Sequence, residues 1–364
     1  MGLPFSAPNL EADRVAWSSL ASLMTKRVYC TYFDHNYLAR GLALYHSLQQ
    51  HAPGARLWVL CLSEPCHRAL TALALPNLLP CRLHDFEAAN PDVAATRQTR
   101  STIEYYFTCS AAWMLRVLNS EREAEWVTYL DSDLFFFASP DPIYAEMKDA
   151  AFGIVPHRFT RRLADQRRFG IYNVGWVSAR RCDEGFAALR WWRERCIEWC
   201  YDRVEGDRFA DQRYLERLPE LFKNVHVVGH LGANLAPWNI EDFRVEWRDG
   251  SVRIDDRYPL LFFHFYGVKR RGRHYFNIHR VYHAPFTDVI KHRIYEPYAA
   301  ALSKWVTAVA PYMEGKRTET IRKPFAGASQ DRVLNVLRLM RGVFYRGLDR
   351  VSGCTNPVAK PAAR

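Results

Sequence analysis

Two aspartates one residue apart, Asp131 and Asp133, stand in the stretch WVTYLDSDLFFF (126–137), between two apolar runs that read as strands. Alternate residues of a strand face the same way, so both carboxylates can address one ligand while Ser132 turns aside. Two oxygen donors on one side suit a hard divalent cation, Mg²⁺ or Mn²⁺. A cation held there can clamp a diphosphate and stabilise the charge it gains as a leaving group. Asp-Ser-Asp is also ordinary turn chemistry. Phe135-Phe136-Phe137 directly behind the pair favours the cation, because a solvated turn needs no apolar run at its back.

A second group lies in LFFHFYGVKRR (261–271). His264 follows an apolar run, so it either packs in the core or emerges at a strand end as a metal ligand. Gly267 gives turning capacity, and Lys269, Arg270 and Arg271 can hold a diphosphate. The alternative is a basic surface loop after a strand.

Placing these groups is the task of alternating strands and helices. The pattern predicts strands at 28–33, 56–62 and 126–130, with helices at 38–50, 66–73 and 105–118. That order gives an α/β fold with a mainly parallel sheet covered by helices. Ligands of such sheets gather outside the carboxyl ends of the strands, where Asp34, Asn36, Asp131 and Asp133 all fall. Further strands are expected at 134–137, 152–156, 172–179, 225–228 and 260–267, and helices at 183–201 and 211–218. HRFTRRLADQRRFG (157–170) reads as an exposed basic loop.

The chain has 364 residues, 49% of them hydrophobic and 14% aromatic, which is ample for a core. Its net charge of +11 implies anionic company: nucleotide phosphates, nucleic acid or an anionic membrane. Nine cysteines, with no Cys-x-x-Cys pair, fit buried thiols of a cytoplasmic protein rather than a disulfide or zinc framework. No stretch has the apolar length of a membrane span. Residues 331–351 place Val333, Leu334, Leu337, Met340, Phe344 and Leu348 at helical spacing among arginines. Such a helix either lies on the inner face of an anionic membrane or packs on the domain with solvated arginines.

Together with TYFDHNYLARGLALYHSL (31–48), the two groups resemble the GT-A nucleotide-sugar glycosyltransferases, most closely glycosyltransferase family 8, over about residues 27–275. The resemblance implies a GT-A type, Rossmann-like catalytic domain at 27–290, with an arm at 1–26 and a helical, basic extension at 291–364. It also implies that Asp34 and Asn36, with neighbouring Thr31 and Tyr32, contact the nucleoside. Asp131, Asp133 and His264 would bind Mn²⁺ or Mg²⁺, with Ser132 close to the donor. Gly267 and Lys269 would hold the diphosphate, Asn173 and Gly175 would lie by the donor sugar, and Asp211 and Gln212 by the reacting carbon. The sequence departs from the family where Arg270-Arg271 replaces Pro-Trp and where Arg213 replaces a second aspartate.

The activity so implied is metal-dependent transfer of a sugar from a nucleotide-diphosphate donor, UDP-linked by resemblance, to the hydroxyl of a saccharide, glycolipid or protein. Retention at the anomeric carbon is expected, in a setting such as bacterial surface polysaccharide assembly. If the reaction instead inverts, Asp211 is the natural base. Two other readings stand beside it. One is a basic nucleic-acid binder, suggested by KRRGRHYFNIHR but lacking any familiar binding module. The other is a phosphoryl-transfer enzyme, which would want a Gly-rich phosphate loop that TYFDHNYLARG does not have. Arg100 either reaches the diphosphate or is an ordinary exposed arginine. GHLGANLAPWNI (229–240) is either a sugar-binding edge or a structural turn around a packed Trp238.

Overall fold

The computed structural model describes residues 27–313 and the short strand at 350–351. β1 (Arg27–Phe33), β2 (Arg56–Cys61), β3 (Leu78–Arg82) and β4 (Trp126–Leu130) alternate with helices Leu38–His51, Glu64–Leu73 and Thr102–Ser120. That alternation yields a parallel half-sheet ordered β3-β2-β1-β4. β5 (Leu134–Phe136) leaves this sheet. β6 (Phe152–Pro156), β7 (Tyr172–Arg180) and β8 (Val225–Val227) complete it on the other side in the order β4-β7-β6-β8. β7 runs antiparallel to both neighbours, while β6 and β8 are parallel. The result is a mixed, mainly parallel seven-stranded sheet flanked by helices.

Period-two alternation sorts the side chains into two apolar layers. In β1, Tyr29 and Phe33 face the layer covered by helices Leu38–His51 and Glu296–Val309, whereas Val28 and Cys30 face helices Thr102–Ser120 and Asp183–Glu198. In β4, Trp126 and Leu130 join the first layer, and Val127 and Tyr129 the second. All five β4 residues are buried. A near-continuous apolar run is what a parallel strand covered on both faces requires. The Thr102–Ser120 helix starts earlier than its apolar pattern suggests, because Ser101 and Glu104 form a reciprocal capping box.

Three small sheets follow. β9 (Val245–Arg248), β10 (Ser251–Ile254) and β11 (Tyr258–Pro259) form an antiparallel meander, and β12 (Phe262–His264) pairs antiparallel with β5. β13 (Lys269–Arg271) and β14 (His274–Phe276) make a hairpin, and β15 (Arg350–Val351) pairs with β14. Trp176 of β7 stacks on Phe262 at 5.4 Å and meets Phe136 edge-on, so it docks the β5–β12 ribbon onto the main sheet. Each such aromatic pair adds about 0.5–1.5 kcal/mol beyond its burial.

Several sequence expectations change. The strand expected over 260–267 is only three residues long, because the positive φ of Gly267 turns the chain into β13. The 157–170 segment is not wholly exposed. His157 and Thr160 are buried, and the Arg158 guanidinium donates to the carbonyls of Ala233, Val228 and His230 before a kinked 3-10 stretch begins at Arg161. The expected boundary at 290/291 crosses a continuous core, since Ile290, Ile294, Tyr298, Leu302 and Trp305 pack into the same apolar layer as β1. The arm at 1–26 and the amphipathic pattern at 331–351 lie outside the described residues, except that Arg350 and Val351 form β15. Among the described residues, no helix is long and apolar enough to cross a membrane.

Candidate metal centre

β4 delivers Asp131 to the carboxyl end of the parallel half-sheet, next to the end of β1. The Asp131 N–H donates to the Gly175 carbonyl (3.1 Å), and Leu134 N–H to the Asp131 carbonyl (3.1 Å), which turns the chain into β5. β5 then pairs with β12, with Leu134 opposite His264, while Phe265 N–H donates to the Asp133 carbonyl at 2.9 Å. His264 Nε2 consequently lies 3.1 Å from Asp133 Oδ1 and 3.6 Å from Asp131 Oδ2. Among the described residues these three form the one group of His, Cys, Asp and Glu spaced to hold a metal ion, with ligand atoms within 4.8 Å of one another.

The electrostatics of the trio are those of a site short of positive charge. Burial, moderated by the His264 imidazolium and reinforced by Asp133, pushes the Asp131 carboxyl up to about 6. Asp133 is held below its usual range: burial opposes this, but the His264 charge and hydrogen bond and the Arg40 charge outweigh it. His264 is raised for the converse reason, since both aspartates overcome the burial of its ring. Asp131 keeps 32% of its side-chain surface open, against 15% for Asp133 and 4% for His264. The group is therefore approachable on the Asp131 side. Two carboxylates and one imidazole at this spacing fit a divalent cation such as Mn²⁺ or Mg²⁺, and burying the paired carboxylates is costly without one.

Beside the trio the structure places Asn173, Gly175, Asp211 and Gln212. Asn173 and Gly175 sit where β7 bulges: Ile154 pairs with Val177, but Val155 pairs with Asn173. The Asn173 side-chain oxygen accepts from Gly175 N–H (3.0 Å), and its amide nitrogen donates to His157 Nε2 (3.0 Å) and Gln212 Oε1 (3.3 Å). Gln212 in turn donates to the Phe169 carbonyl at 2.8 Å, so its amide is pinned at both ends. Neighbouring Asp211 is buried and accepts a 2.6 Å hydrogen bond from Ser110. Burial, opposed by that bond and reinforced by Asp131, pushes its carboxyl up to about 7. Tyr32 shares a hydrogen bond with Ser110 (3.2 Å), and Tyr129 donates to Asp131 Oδ1 (3.0 Å).

At the end of β1, both Asp34 carboxylate oxygens are taken by Asn36, one by its backbone N–H and one by its amide (2.9 and 3.0 Å). The Asn36 side-chain oxygen is buried and has no protein partner. Thr31 is fully buried, its carbonyl accepting from Trp113 and its hydroxyl lacking a protein partner. Ser132 is buried between the two aspartates in sequence. Gly267 occupies a left-handed turn at φ 75°, where an added Cβ would also meet Ile278 at 2.3 Å. Lys269 lies exposed on β13, just beyond that turn.

Arg100 is a correction. Its guanidinium donates to the carbonyls of Cys196 and Ile197 and lies over the Tyr201 ring, so it closes the end of the Asp183–Glu198 helix instead of the strand-end site. The 229–240 loop takes its structural alternative: Asn234, Asn239 and Trp238 are buried, and Trp238 donates to the His157 carbonyl while packing edge-on to the His264 ring. Sequence reasoning missed Ser110, Tyr129, His157 and Arg40. Arg40 donates to the Val268 carbonyl (2.7 Å), tying the turn after β12 to the first helix and placing a cation near Asp133. Ser110, Tyr129 and Arg40 lie inside apolar or helical stretches, and His157 opens a segment that reads as a basic loop, so no spacing marks them out.

These features define a mixed α/β protein with a candidate divalent-cation site at the ends of its parallel strands. No family model matches the chain. It is 34% identical over 284 residues to the uncharacterized protein YfnD of Bacillus subtilis (strain 168), across 77% of this chain and 90% of that protein. It is 36% identical over 250 residues to YfnF of the same strain, across 66% and 81% of the two chains. The chain belongs to the family of YfnD and YfnF. Solved structures similar in shape include the galactosyltransferase LgtC in complex with donor and acceptor sugar analogues, at 19% identity and TM-score 0.46, covering 76% of this chain and 95% of that one. The bifunctional WbbM matches at 15% and 0.48, covering 78% and 51%. GlyE of Streptococcus pneumoniae TIGR4 matches at 13% and 0.42, covering 78% and 63%. All three TM-scores are below 0.5, and the chemistry rests on the site's own residues.

Proposed function

We propose that this protein is a GT-A type, metal-dependent glycosyltransferase that uses a nucleotide-diphosphate sugar, with UDP-sugars the first donors to test. One observation carries the reading. Asp131 and Asp133, from the end of β4, and His264, from a strand far along the chain, converge on one partly open point at the carboxyl edge of the parallel strands. Open α/β sheets bind their ligands at that edge. A divalent cation held by this trio would supply charge stabilisation to a departing diphosphate.

In this reading the chain's own residues bind and orient. Asp34 is locked by Asn36, whose unpartnered buried oxygen is suited to accept from a nucleobase or ribose. Lys269 is assigned to the diphosphate. Asn173 and Gln212 present amides fixed by a four-residue chain from His157 to Phe169. A pinned amide is a poor nucleophile but a well-placed dipole, which suits attack of the acceptor on the face the diphosphate leaves, with retention. A second reading has its own support: a buried carboxyl near 7 at Asp211 is matched to accept a proton from an acceptor hydroxyl, with inversion.

The test incubates the full chain with a panel of sugar nucleotides and Mn²⁺ and measures release of nucleoside diphosphate. Release from at least one donor, abolished by an Asp131→Ala/Asp133→Ala double variant, is expected. No release from any donor, or equal release by the variant, refutes the proposal. The configuration of the product separates retention from inversion.

A further inference from the structure

A cleft of about 680 Å³, sharing no residue with the cation site, opens between the Leu38–His51 helix, the β9–β10 hairpin and the Glu296–Val309 helix. That volume is in the range of small-ligand sites. Its ionisable lining is basic: the cations Arg293 and Lys304 and the imidazoles His46, His51 and His292, with no carboxylate among the lining residues. His292 is paired with Glu296 at 3.0 Å. Arg293 has its guanidinium over the Trp247 ring at 4.1 Å, and Lys304 has its ammonium near the Trp305 ring at 5.5 Å; neither makes an ion pair among the described residues. Elsewhere on the surface arginines do find acids, as in Arg97–Glu87, Arg193–Asp92 and Arg217–Glu220. Burial and the Lys304 charge both push the His46 imidazole below its usual range, and burial does the same to His51, so the positive charge of the cleft rests on Arg293 and Lys304.

The remaining wall is aromatic. Phe137 is partly buried, and Trp247 keeps 43% of its surface open. A guanidinium over an indole face is steadied by the ring, and its fork of N–H groups is shaped to take two oxygens of one anion. A lysine adds a mobile point charge, and ring faces add apolar contact area.

We infer that this cleft is a binding site for a phosphomonoester carried on a group of about monosaccharide size. The phosphate sits between Arg293, Lys304 and the two helix histidines His46 and His51, and the carrier lies against Trp247 and Phe137. The inference is independent of the glycosyltransferase reading. Free sugar phosphates and the phosphate headgroup of phosphatidic acid share this chemistry.

The test is calorimetric titration of the full chain with glucose 6-phosphate and inorganic phosphate, with glucose as the uncharged control. Cosedimentation with phosphatidylcholine vesicles, with and without phosphatidic acid, runs beside it. An Arg293→Gln/Lys304→Gln variant is expected to weaken phosphate-ester binding at least tenfold, and the Asp131→Ala/Asp133→Ala variant to leave it unchanged. Both altered cations are exposed, so folding is retained, and matched melting curves verify this. Binding of the soluble ester supports the site with a soluble ligand. Binding to phosphatidic acid vesicles alone, lost in the Gln variant, supports it with a lipid ligand. Absence of both, binding equal to glucose, or loss in the aspartate variant instead of the Gln variant overturns it.

Discussion

The Ser110 hydroxyl, from the middle of a long helix, donates a 2.6 Å hydrogen bond to the buried Asp211 carboxylate in the loop before Gln212. That bond is the main force holding the Asp211 carboxyl down against burial. Ser110→Ala leaves the carboxylate buried without its donor, which costs about 1–3 kcal/mol. Urea unfolding at neutral pH should show that loss. Because the bond favours the ionised form, removing it raises the Asp211 pKa. If ionised Asp211 serves the reaction, the acid limb of the kcat/KM profile moves to higher pH. An unmoved limb would place Asp211 outside the chemistry.

Cation binding should be visible without turnover. At Mn²⁺ a hundredfold above its Kd, a ligand that binds only the folded state adds about 2.7 kcal/mol. Differential scanning calorimetry should show the melting temperature of the wild type rising by several degrees, and that of Asp131→Ala/Asp133→Ala remaining flat. Calcium-free buffer with a chelator should reverse the gain.

Gly175 is where the backbone makes room for the imidazole. A Cβ there would lie 3.0 Å from His264 Cε1 and Nδ1 and 2.4 Å from Asn173 Oδ1. Gly175→Ala must therefore shift the ligand or break the Asn173 turn. At least a tenfold loss of Mn²⁺ affinity by titration is expected, with the fold retained by circular dichroism. Unchanged affinity would mean that His264 does not ligate.

His279 gives an acid-sensitivity prediction away from the site. It is buried, its Nδ1–H donating to the Pro285 carbonyl (2.7 Å) and its Nε2 accepting from Tyr295 (2.8 Å). Burial, partly offset by the Pro285 bond, lowers its pKa to about 4. The unfolded imidazole binds its proton near 6.5, so stability is full above that value and falls as pH drops toward 4. Between pH 7.5 and pH 5 this one group should cost about 2 kcal/mol. A His279→Asn variant, less stable at pH 7.5, should show a correspondingly smaller acid loss in urea titrations.

Much of this was legible in the residues. Strands β1, β2, β4, β6 and β7 and the helices between them follow their apolar periodicity closely, because each is a long element with two neighbours to satisfy. The aspartates were legible from a violation of that pattern, charge at the end of an apolar run. What periodicity did not carry was pairing. β5 and β12 are three residues each, too short for a period to show, and nothing in LFFHFYG says that it pairs beside Asp133. The supporting residues were invisible for another reason. Ser110 and Tyr129 are typical of helix and strand interiors and His157 begins a basic loop, and only the packing of distant segments gives them a polar partner. Arg100 went astray because a strong cation near a helix start has many carbonyls to choose from.

The pairing of Leu134 with His264 also sets a timetable for synthesis. Every strand of the seven-stranded sheet, and both aspartates, precede residue 228, while the imidazole arrives on a strand made later. A chain synthesised as far as residue 250 contains all seven strands of the large sheet and both aspartates, but neither His264 nor the later segments that complete the apolar layer over β1. A cation held by all three groups would have to wait until the β5–β12 ribbon closes.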